Sequence, residues 1–144
     1  MDKPDIAREL FLGEFNCAQS VLISFANDFG YSKELAAKLA AGFGGGMGMT
    51  QATCGAVTGG IMVLGLMAGE KSNNYEELKN KAYSKVKEFI HRFETEYKTT
   101  ECKGLIDCDL NTKEGQDHFK EKQVKQNVCA NCVAGAVKII QEIG

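Results

Sequence analysis

Tryptophan is absent from the 144-residue chain, and proline occurs once, at position 4. No proline therefore interrupts a helix after Pro4. No stretch alternates apolar and polar residues for long enough to predict a strand. These absences favour an all-α fold. The length fits a single domain over residues 1–144, and we expect a compact bundle of about five to seven helices around a buried, glycine-rich central helix.

Neither sign of charge dominates the chain, which has 17 basic and 19 acidic residues and a formal net charge of −2. A face that binds nucleic acid needs clustered basic residues. The lysines and arginines between Lys79 and Arg92 are instead interleaved with glutamates. This pattern indicates a solvated helix face and argues against nucleic acid as a partner.

The N-terminus also lacks the apolar run behind a basic start that marks a secretory signal. We therefore expect a cytoplasmic protein. The cytoplasm keeps thiols reduced, so structural disulfides are rare there. In that compartment six cysteines are more typical of metal ligands or redox-active thiols than of a disulfide framework.

From Leu39 to Gly69 no side chain is charged. A membrane span needs about 20 predominantly apolar residues, but ten of these 31 positions are glycine, and threonine and glutamine occur among the rest. We therefore predict a buried central helix and no membrane association. Four glycines of this helix lack the side chains that would keep neighbouring backbones apart; they are Gly55, Gly59, Gly65 and Gly69.

Residues that cap helices divide the chain into its elements, because Asn, Ser and Thr side chains accept hydrogen bonds from the free N–H groups of a first helical turn. The predicted helices are Asp5–Gly13, Cys17–Phe29 after Asn16, a third from Ser32 to Gly42, Gln51 to about Ala68 after Thr50, Tyr75 to about Tyr97 after Asn73 or Asn74, a short turn at Cys102–Ile106, a short helix from Thr112 toward Phe119, and Val128–Ile143 after Asn127.

Most of the cysteines lie at these predicted helix starts. The first turn of a helix has unpaired N–H groups and a partial positive charge. Both stabilise a thiolate and lower the pKa of a thiol. The thiolate is the form that binds metal and attacks disulfides. The four cysteines placed in this way are Cys17, Cys54, Cys102 and Cys129.

The spacing of the later cysteines leaves several chemistries open. Cys129 and Cys132 form a C-x-x-C pair, which suits a chelate or a reversible disulfide, although the helical setting argues against a thioredoxin-like protein. A zinc site usually has a second close pair, and Cys102 and Cys108 are slightly too far apart for that. Thiolate-rich sites favour iron–sulfur clusters, zinc or Cu(I).

A glycine-rich segment, residues 42–48, precedes Cys54. Its N–H groups could donate to the sulfur atoms of a cluster or to an anion, or the segment could be a plain turn. It is not a phosphate-binding P-loop, because no Lys-Ser/Thr pair follows it. His91 and His118 lie on polar stretches, and we expect both at the surface rather than as ligands. The candidate cofactor-binding residues are Gly44, Gly45, Gly46 and Gly55.

The segments Asn16–Leu22, Gly44–Met47 and Cys54–Gly60 together resemble the C_GCAxxG_C_C family, and the resemblance covers nearly the whole chain. Cys102 and Cys129 match the third and fourth cysteines of the family by order and context. The resemblance implies a redox or prosthetic-group role for Cys17, Cys54, Cys102 and Cys129, often discussed as iron–sulfur. Split-Soret cytochromes contain a similar domain with an iron–sulfur centre, whereas this chain lacks a C-x-x-C-H haem attachment site.

Four functions are compatible with these observations. The first is an iron–sulfur electron carrier or redox sensor that uses the four family cysteines, with Cys108 and Cys132 as supplementary ligands or resolving thiols. The second is a metal-free thiol–disulfide protein, working through Cys129 with Cys132 or through Cys102 with Cys129. The third is a Zn or Cu(I) module without redox turnover, and the fourth is a structural protein.

The first two imply a redox partner protein. The uncharged central region makes a homodimer plausible, and no substrate pocket identifies an enzyme.

Overall fold

All 144 residues are described by a computed structural model of the chain. The all-α prediction is confirmed, since the one β feature is an isolated antiparallel bridge between Thr53 and Glu101. Eight α-helices follow one another: α1 (Lys3–Leu12), α2 (Cys17–Ala26), α3 (Lys33–Ala40), α4 (Gly55–Glu70), α5 (Tyr75–Tyr97), α6 (Cys102–Ile106), α7 (Lys113–Glu121) and α8 (Ala130–Ile143).

Side-chain caps start four of these helices as the sequence predicts. Asn16 accepts from the Gln19 N–H while the Gln19 side chain accepts from the Asn16 N–H, which is a capping box. Ser32, Asn74 and Thr112 each accept from a backbone N–H three residues further on. These caps fix where the helices begin, because each one satisfies an N–H group that has no partner within the helix.

Helix α4 lies in the centre of the bundle and is buried along its first six residues, Gly55–Gly60. An added Cβ at Gly59 would lie 2.8 Å from the Ala18 carbonyl oxygen of α2, and one at Gly60 would lie 2.6 Å from the Phe89 ring of α5. The predicted close approach therefore holds at Gly59. It is wrong at Gly65, where an added Cβ would meet nothing within 4 Å.

The apolar side chains of the remaining helices close over α4. Phe89 and Phe93 of α5 are fully buried, and α8 contributes much of the rest of the core from one face. No helix is both long enough and apolar enough to cross a membrane. The central helix is thus a buried element of the bundle, as predicted.

Helix α1 begins at Lys3, two residues before its predicted start, and two predicted helix caps are wrong. Helix α4 begins at Gly55 rather than Gln51, and the Thr50 hydroxyl donates to the carbonyls of the glycine-rich segment instead of capping a helix. The last helix does not start freely after Asn127. A π-helical turn, Lys125–Cys129, runs directly into α8, so Asn127 lies inside a continuous helical segment.

Candidate functional site

The glycine-rich segment folds into a compact loop that ends at Cys54. Its backbone is left-handed at several positions, which glycine adopts without strain. The N–H groups of Gln51 and Ala52 donate to the carbonyls of Gly45 and Gly46 at 2.9 and 2.8 Å. The residues with positive φ are Gly45, Gly46, Met47, Gly48, Met49 and Gln51.

The end of this loop is fastened to the start of α6. The Cys54 N–H donates to the Thr100 carbonyl at 2.7 Å, and the Cys102 N–H donates to the Ala52 carbonyl at 2.7 Å. These two bonds flank the bridge between residues 53 and 101 and bring the second and third family cysteines onto neighbouring strands of backbone. Gly46 packs so tightly here that an added Cβ would lie 2.7 Å from the Cβ of Cys102.

Cys17 and Cys54 come together because the starts of α2 and α4 touch. Cys17 is the first residue of α2, and Cys54 is the N-cap residue of α4. An added Cβ at Gly55 would lie 2.9 Å from the Ala18 nitrogen and 3.0 Å from the Cβ of Cys17. A glycine after Cys54 is therefore a condition of this contact. We call these two residues the helix-start pair.

The two thiols of the helix-start pair differ in acidity. Hydrogen bonding from the Cys54 thiol lowers the pKa of Cys17, and the backbone N–H groups of Cys17, Gly45 and Gly55 lower it further against the opposing effect of burial. The same thiol–thiol interaction, followed by burial, raises the pKa of Cys54 well above its usual value. Cys17 is therefore the thiol of the pair that loses its proton first, while Cys54 stays protonated.

Three further cysteines lie in and around a second, smaller apolar cluster formed by α6, the segment after it and the residues before α8. We call Cys102, Cys108 and Cys129 the outer thiols. Burial raises the pKa of Cys102 to about 11 and raises the pKa values of Cys108 and Cys129 as well, with nearby thiolate or aspartate charges adding to the effect. No backbone N–H group lowers the pKa of any of the three.

Cys132 occupies the buried face of α8 within the main core. Burial raises its pKa to about 12, and the charges of Cys17 and Glu96 contribute next. It also contributes to the raised pKa of Cys54. Cys132 therefore lies near the helix-start pair rather than apart from it. Its C-x-x-C partner Cys129 is half-buried one turn earlier.

A cavity of about 350 Å³ opens beside Cys17. Cys102 and Cys129 line the same cavity, whereas Cys54 and Cys132 do not. The sequence-predicted set of four is thus divided: three thiols share one cavity, and the fourth, Cys54, is buried behind Cys17.

The helix-start prediction holds for three of the four family cysteines. Cys102 is the first residue of α6, although that helix has five residues and no side-chain cap. The prediction is wrong for Cys129, because the π-helical turn supplies the residues that precede it and its N–H group is not at a free helix end. Asn127 is not a cap, and its side chain donates to the Lys122 carbonyl instead.

Gln51 is a site residue that sequence reasoning assigned only to a helix start. It is buried, and its side-chain amide donates to the Cys108 carbonyl and accepts from the Leu110 N–H, both at 2.7 Å. This pair of bonds ties the segment that carries Cys108 to the glycine-rich loop. The sequence signal that could have identified it is a glutamine within the long uncharged stretch, because a polar side chain in a buried segment needs hydrogen-bond partners.

Three of the four predicted cofactor-binding glycines pack closely against neighbouring residues, and the fourth lines the cavity. An added Cβ at Gly44 would lie 2.7 Å from the Asn16 side chain, and Gly45 lines the cavity. Gly46 packs on Cys102 and Gly55 on Cys17. Contact with a cofactor stays a prediction for all four.

No group of three or more Cys, His, Asp and Glu side chains is assembled in a way that could hold a metal ion. The metal-ligand role of the cysteines therefore also stays a prediction. His91 and His118 are exposed, as expected.

The fold and the site define a small all-α protein built around converging cysteines. The family model described as "Putative redox-active protein (C_GCAxxG_C_C)" matches residues 15–143, and the chain belongs to this family of redox-active proteins. No curated protein and no solved structure shows significant similarity to the chain.

Proposed function

We propose that this redox-active protein works by thiol–disulfide chemistry, with Cys17 as the attacking thiol and Cys54 as the resolving thiol. The observation that carries the proposal is the contact between the starts of α2 and α4, where a glycine after Cys54 allows the close approach and the two thiols are hydrogen-bonded. Neither of the pairs predicted from the sequence, Cys129 with Cys132 and Cys102 with Cys129, has a thiol–thiol hydrogen bond that shifts the pKa of a member.

The exposure of the two thiols supports their separate roles. Cys17 is half-buried and lines the cavity, so an oxidised substrate can reach its sulfur. Cys54 is 7% exposed and lies behind it. A resolving thiol needs access to the attacking thiol rather than to the substrate, because it acts on the mixed disulfide that the first attack leaves.

The acidity of the pair supports the same order of events. The lowered pKa of Cys17 increases the fraction of attacking thiolate near neutral pH. The raised pKa of Cys54 keeps its proton in place until the mixed disulfide removes the negative charge from Cys17. Two electrons and the proton of Cys54 leave the protein when the Cys17 thiolate and the Cys54 thiol form the disulfide.

Mapping the first disulfide tests this proposal. Fully reduced protein is titrated with oxidised dithiothreitol, free thiols are alkylated, and disulfide-linked peptides are identified by mass spectrometry. We expect a Cys17–Cys54 link as the first product. Serine at either position should abolish it, and the matched variant Cys108→Ser should leave it unchanged. A first link between Cys129 and Cys132, or between Cys102 and Cys129, would contradict the assignment.

A second candidate function is an iron–sulfur electron carrier or redox sensor, and one observation favours it. Cys17, Cys102 and Cys129 come from three different elements and line one cavity. Cysteine thiolates are the usual ligands of such clusters, and a cluster needs more room than a single ion. In this alternative Cys54 would be the fourth ligand and would have to turn toward the cavity.

The visible absorption spectrum of anaerobically purified protein, with iron analysis on the same sample, tests the second candidate. Protein side chains absorb only in the ultraviolet, and this chain, with no tryptophan and four tyrosines, absorbs weakly even there. Visible bands that bleach with dithionite, together with iron, would support a cluster. Their loss in Cys17→Ser, Cys102→Ser and Cys129→Ser, but not in Cys108→Ser, would assign the ligands. A colourless, iron-free sample that forms the Cys17–Cys54 disulfide would favour the thiol mechanism.

Either function requires an electron donor or acceptor, and a redox partner protein remains our expectation for the physiological reaction. A reducing compartment such as the cytoplasm suits a dithiol that must be returned to its reduced form. The notion of a homodimer stays a prediction, which the oligomeric state in solution would test.

A further inference from the structure

The cavity beside Cys17 has the features of a small-molecule site. Its volume of about 350 Å³ lies at the lower end of the range for ligand pockets, roughly 300–1,000 Å³. It is formed where α1, the glycine-rich loop, α6, α7 and the π-helical turn meet. Apolar side chains line most of it; they are Phe11, Phe15, Met49, Ile106, Leu110 and Phe119.

The charged groups of the cavity nearly cancel. Glu14 and Lys125 line it with opposite charges, and the Lys125 ammonium lies 5.3 Å from the centre of the Phe11 ring, which attracts a cation. The charge of the Cys17 thiolate is the one left uncompensated, so the cavity has no excess positive charge to select an anionic ligand. It offers apolar walls with a thiol that can react.

We propose that this cavity binds a low-molecular-weight, uncharged disulfide with an apolar body and presents it to Cys17. The inference rests on the proposed function of the helix-start pair and names its substrate class. A disulfide within a folded protein brings neighbouring chain that a cavity of this size does not accommodate, so the structure favours a small substrate over a protein disulfide.

The chemistry balances without another reactant. The Cys17 thiolate attacks one sulfur of R–S–S–R, a new S–S bond forms as the substrate S–S bond breaks, and the first R–S⁻ takes up from water the proton that Cys17 released when its thiolate formed. Cys54 then attacks the Cys17 sulfur of the mixed disulfide, the bond to the second R–S breaks, and the proton from Cys54 goes to that leaving group. The substrate gains two electrons as two thiols, and the protein retains the Cys17–Cys54 disulfide.

The test is a rapid-mixing experiment with reduced protein and dipyridyl disulfide, an uncharged aromatic disulfide whose product thione absorbs light. Binding before attack makes the rate of the first phase level off as the disulfide concentration rises, whereas a simple surface thiol gives a straight line. A dianionic aromatic disulfide, bis(nitrobenzoate) disulfide, serves as the comparison. Each rate is divided by the rate of the same compound with free cysteine.

We expect saturation and a preference of about tenfold or more for the uncharged compound, which corresponds to about 1.4 kcal/mol. Leu110→Trp, which fills the cavity, should slow the saturating phase severalfold. The control Leu39→Trp, at an exposed residue that does not line the cavity, should leave this phase unchanged. A linear rate without preference, equal reduction of insulin disulfides, or an unaffected Leu110→Trp would overturn the inference.

Equilibrium titration of the same variants separates this inference from the proposed function. The midpoint for Cys17–Cys54 in a dithiothreitol redox buffer depends on the two end states and not on access. Leu110→Trp should therefore keep the wild-type midpoint. Formation of the Cys17–Cys54 link without saturation or preference would defeat the substrate assignment alone, and failure to form the link would defeat the proposed function.

Discussion

The helix-start pair and the outer thiols are two groups of cysteines with the same chemistry. They differ in whether backbone N–H groups lower the pKa of a thiol. Both contain half-buried or buried cysteines packed among apolar side chains. In the pair, N–H groups from two helix starts and from the glycine-rich loop face the Cys17 sulfur. No backbone N–H group lowers the pKa of an outer thiol, and burial raises all three pKa values.

The comparison shows that burial alone does not make a cysteine reactive. Removing a thiol from water disfavours its charged form, so a buried thiol without donors stays protonated. A thiolate persists where backbone N–H groups replace the lost water. In this chain the close packing of α2 on α4 supplies those groups at one sulfur.

The largest effect should come from Cys17→Ser. The remaining thiols all have raised pKa values, and a thiol whose pKa is higher by one has about a tenfold smaller thiolate fraction at neutral pH. The rate of the first alkylation by limiting iodoacetamide at neutral pH should therefore fall by about tenfold or more. Cys102→Ser should leave that rate unchanged. A fast phase that survives in Cys17→Ser would show that an outer thiol is the reactive one.

Gly55→Ala and Gly65→Ala should have opposite effects on stability. At Gly55 the added methyl group would press on the Ala18 nitrogen and on Cys17, and overpacking of this kind costs about 1–3 kcal/mol. At Gly65 it meets nothing, and alanine is the better helix former by up to about 1 kcal/mol.

Denaturant unfolding under reducing conditions measures both free energies. Alkylation of Cys17 in Gly55→Ala should also slow, because the start of α4 moves away from the sulfur. Equal changes in stability at the two positions would show that helix propensity, rather than the contact of α4 with α2, governs them.

Cys54→Ala should raise the pKa of Cys17, because hydrogen bonding from Cys54 is the largest contribution that lowers it. Alkylation of Cys17 increases as its thiol loses a proton, so the rate–pH curve should move to higher pH. If the pKa of Cys17 rises by about one, the alkylation rate at a pH below both midpoints falls about tenfold. The matched variant Cys132→Ala should leave the midpoint in place. A Cys54→Ala curve that coincides with the wild type would assign the lowered pKa to the backbone donors alone.

The smallest effect is expected from Gln51→Met, which acts on the outer thiols. This change removes two hydrogen bonds at 2.7 Å that hold the segment of Cys108 and Leu110. Leaving buried peptide groups unpaired costs about 1–3 kcal/mol. We expect Cys108 to be alkylated a few times faster, measured by peptide mass spectrometry, with little change at Cys17. The exposed Gln141→Met is the control, and an unchanged Cys108 would show that other contacts hold this segment.

Much of the fold could be predicted from local sequence signals. Asn16, Ser32, Asn74 and Thr112 cap the helices they were expected to cap, because a side chain and an N–H group three residues away interact within one turn. The uncharged stretch correctly indicated a buried central helix. The predicted start of this helix was four residues too early for a non-local reason, since residues 52–54 pair with residues 100–102 instead of entering the helix.

For the site, the sequence by itself determined the family, the cysteines at issue and two of the helix starts that carry them. Those features depend on residue identity and short-range capping. Tertiary structure alone decided that Cys17 faces Cys54, that Cys129 lies after a π-helical turn and that Gln51 holds the Cys108 segment. Each depends on contacts between segments far apart in the chain, and the packing of α2 against α4 brings together the N–H groups that make one thiol more acidic than the rest.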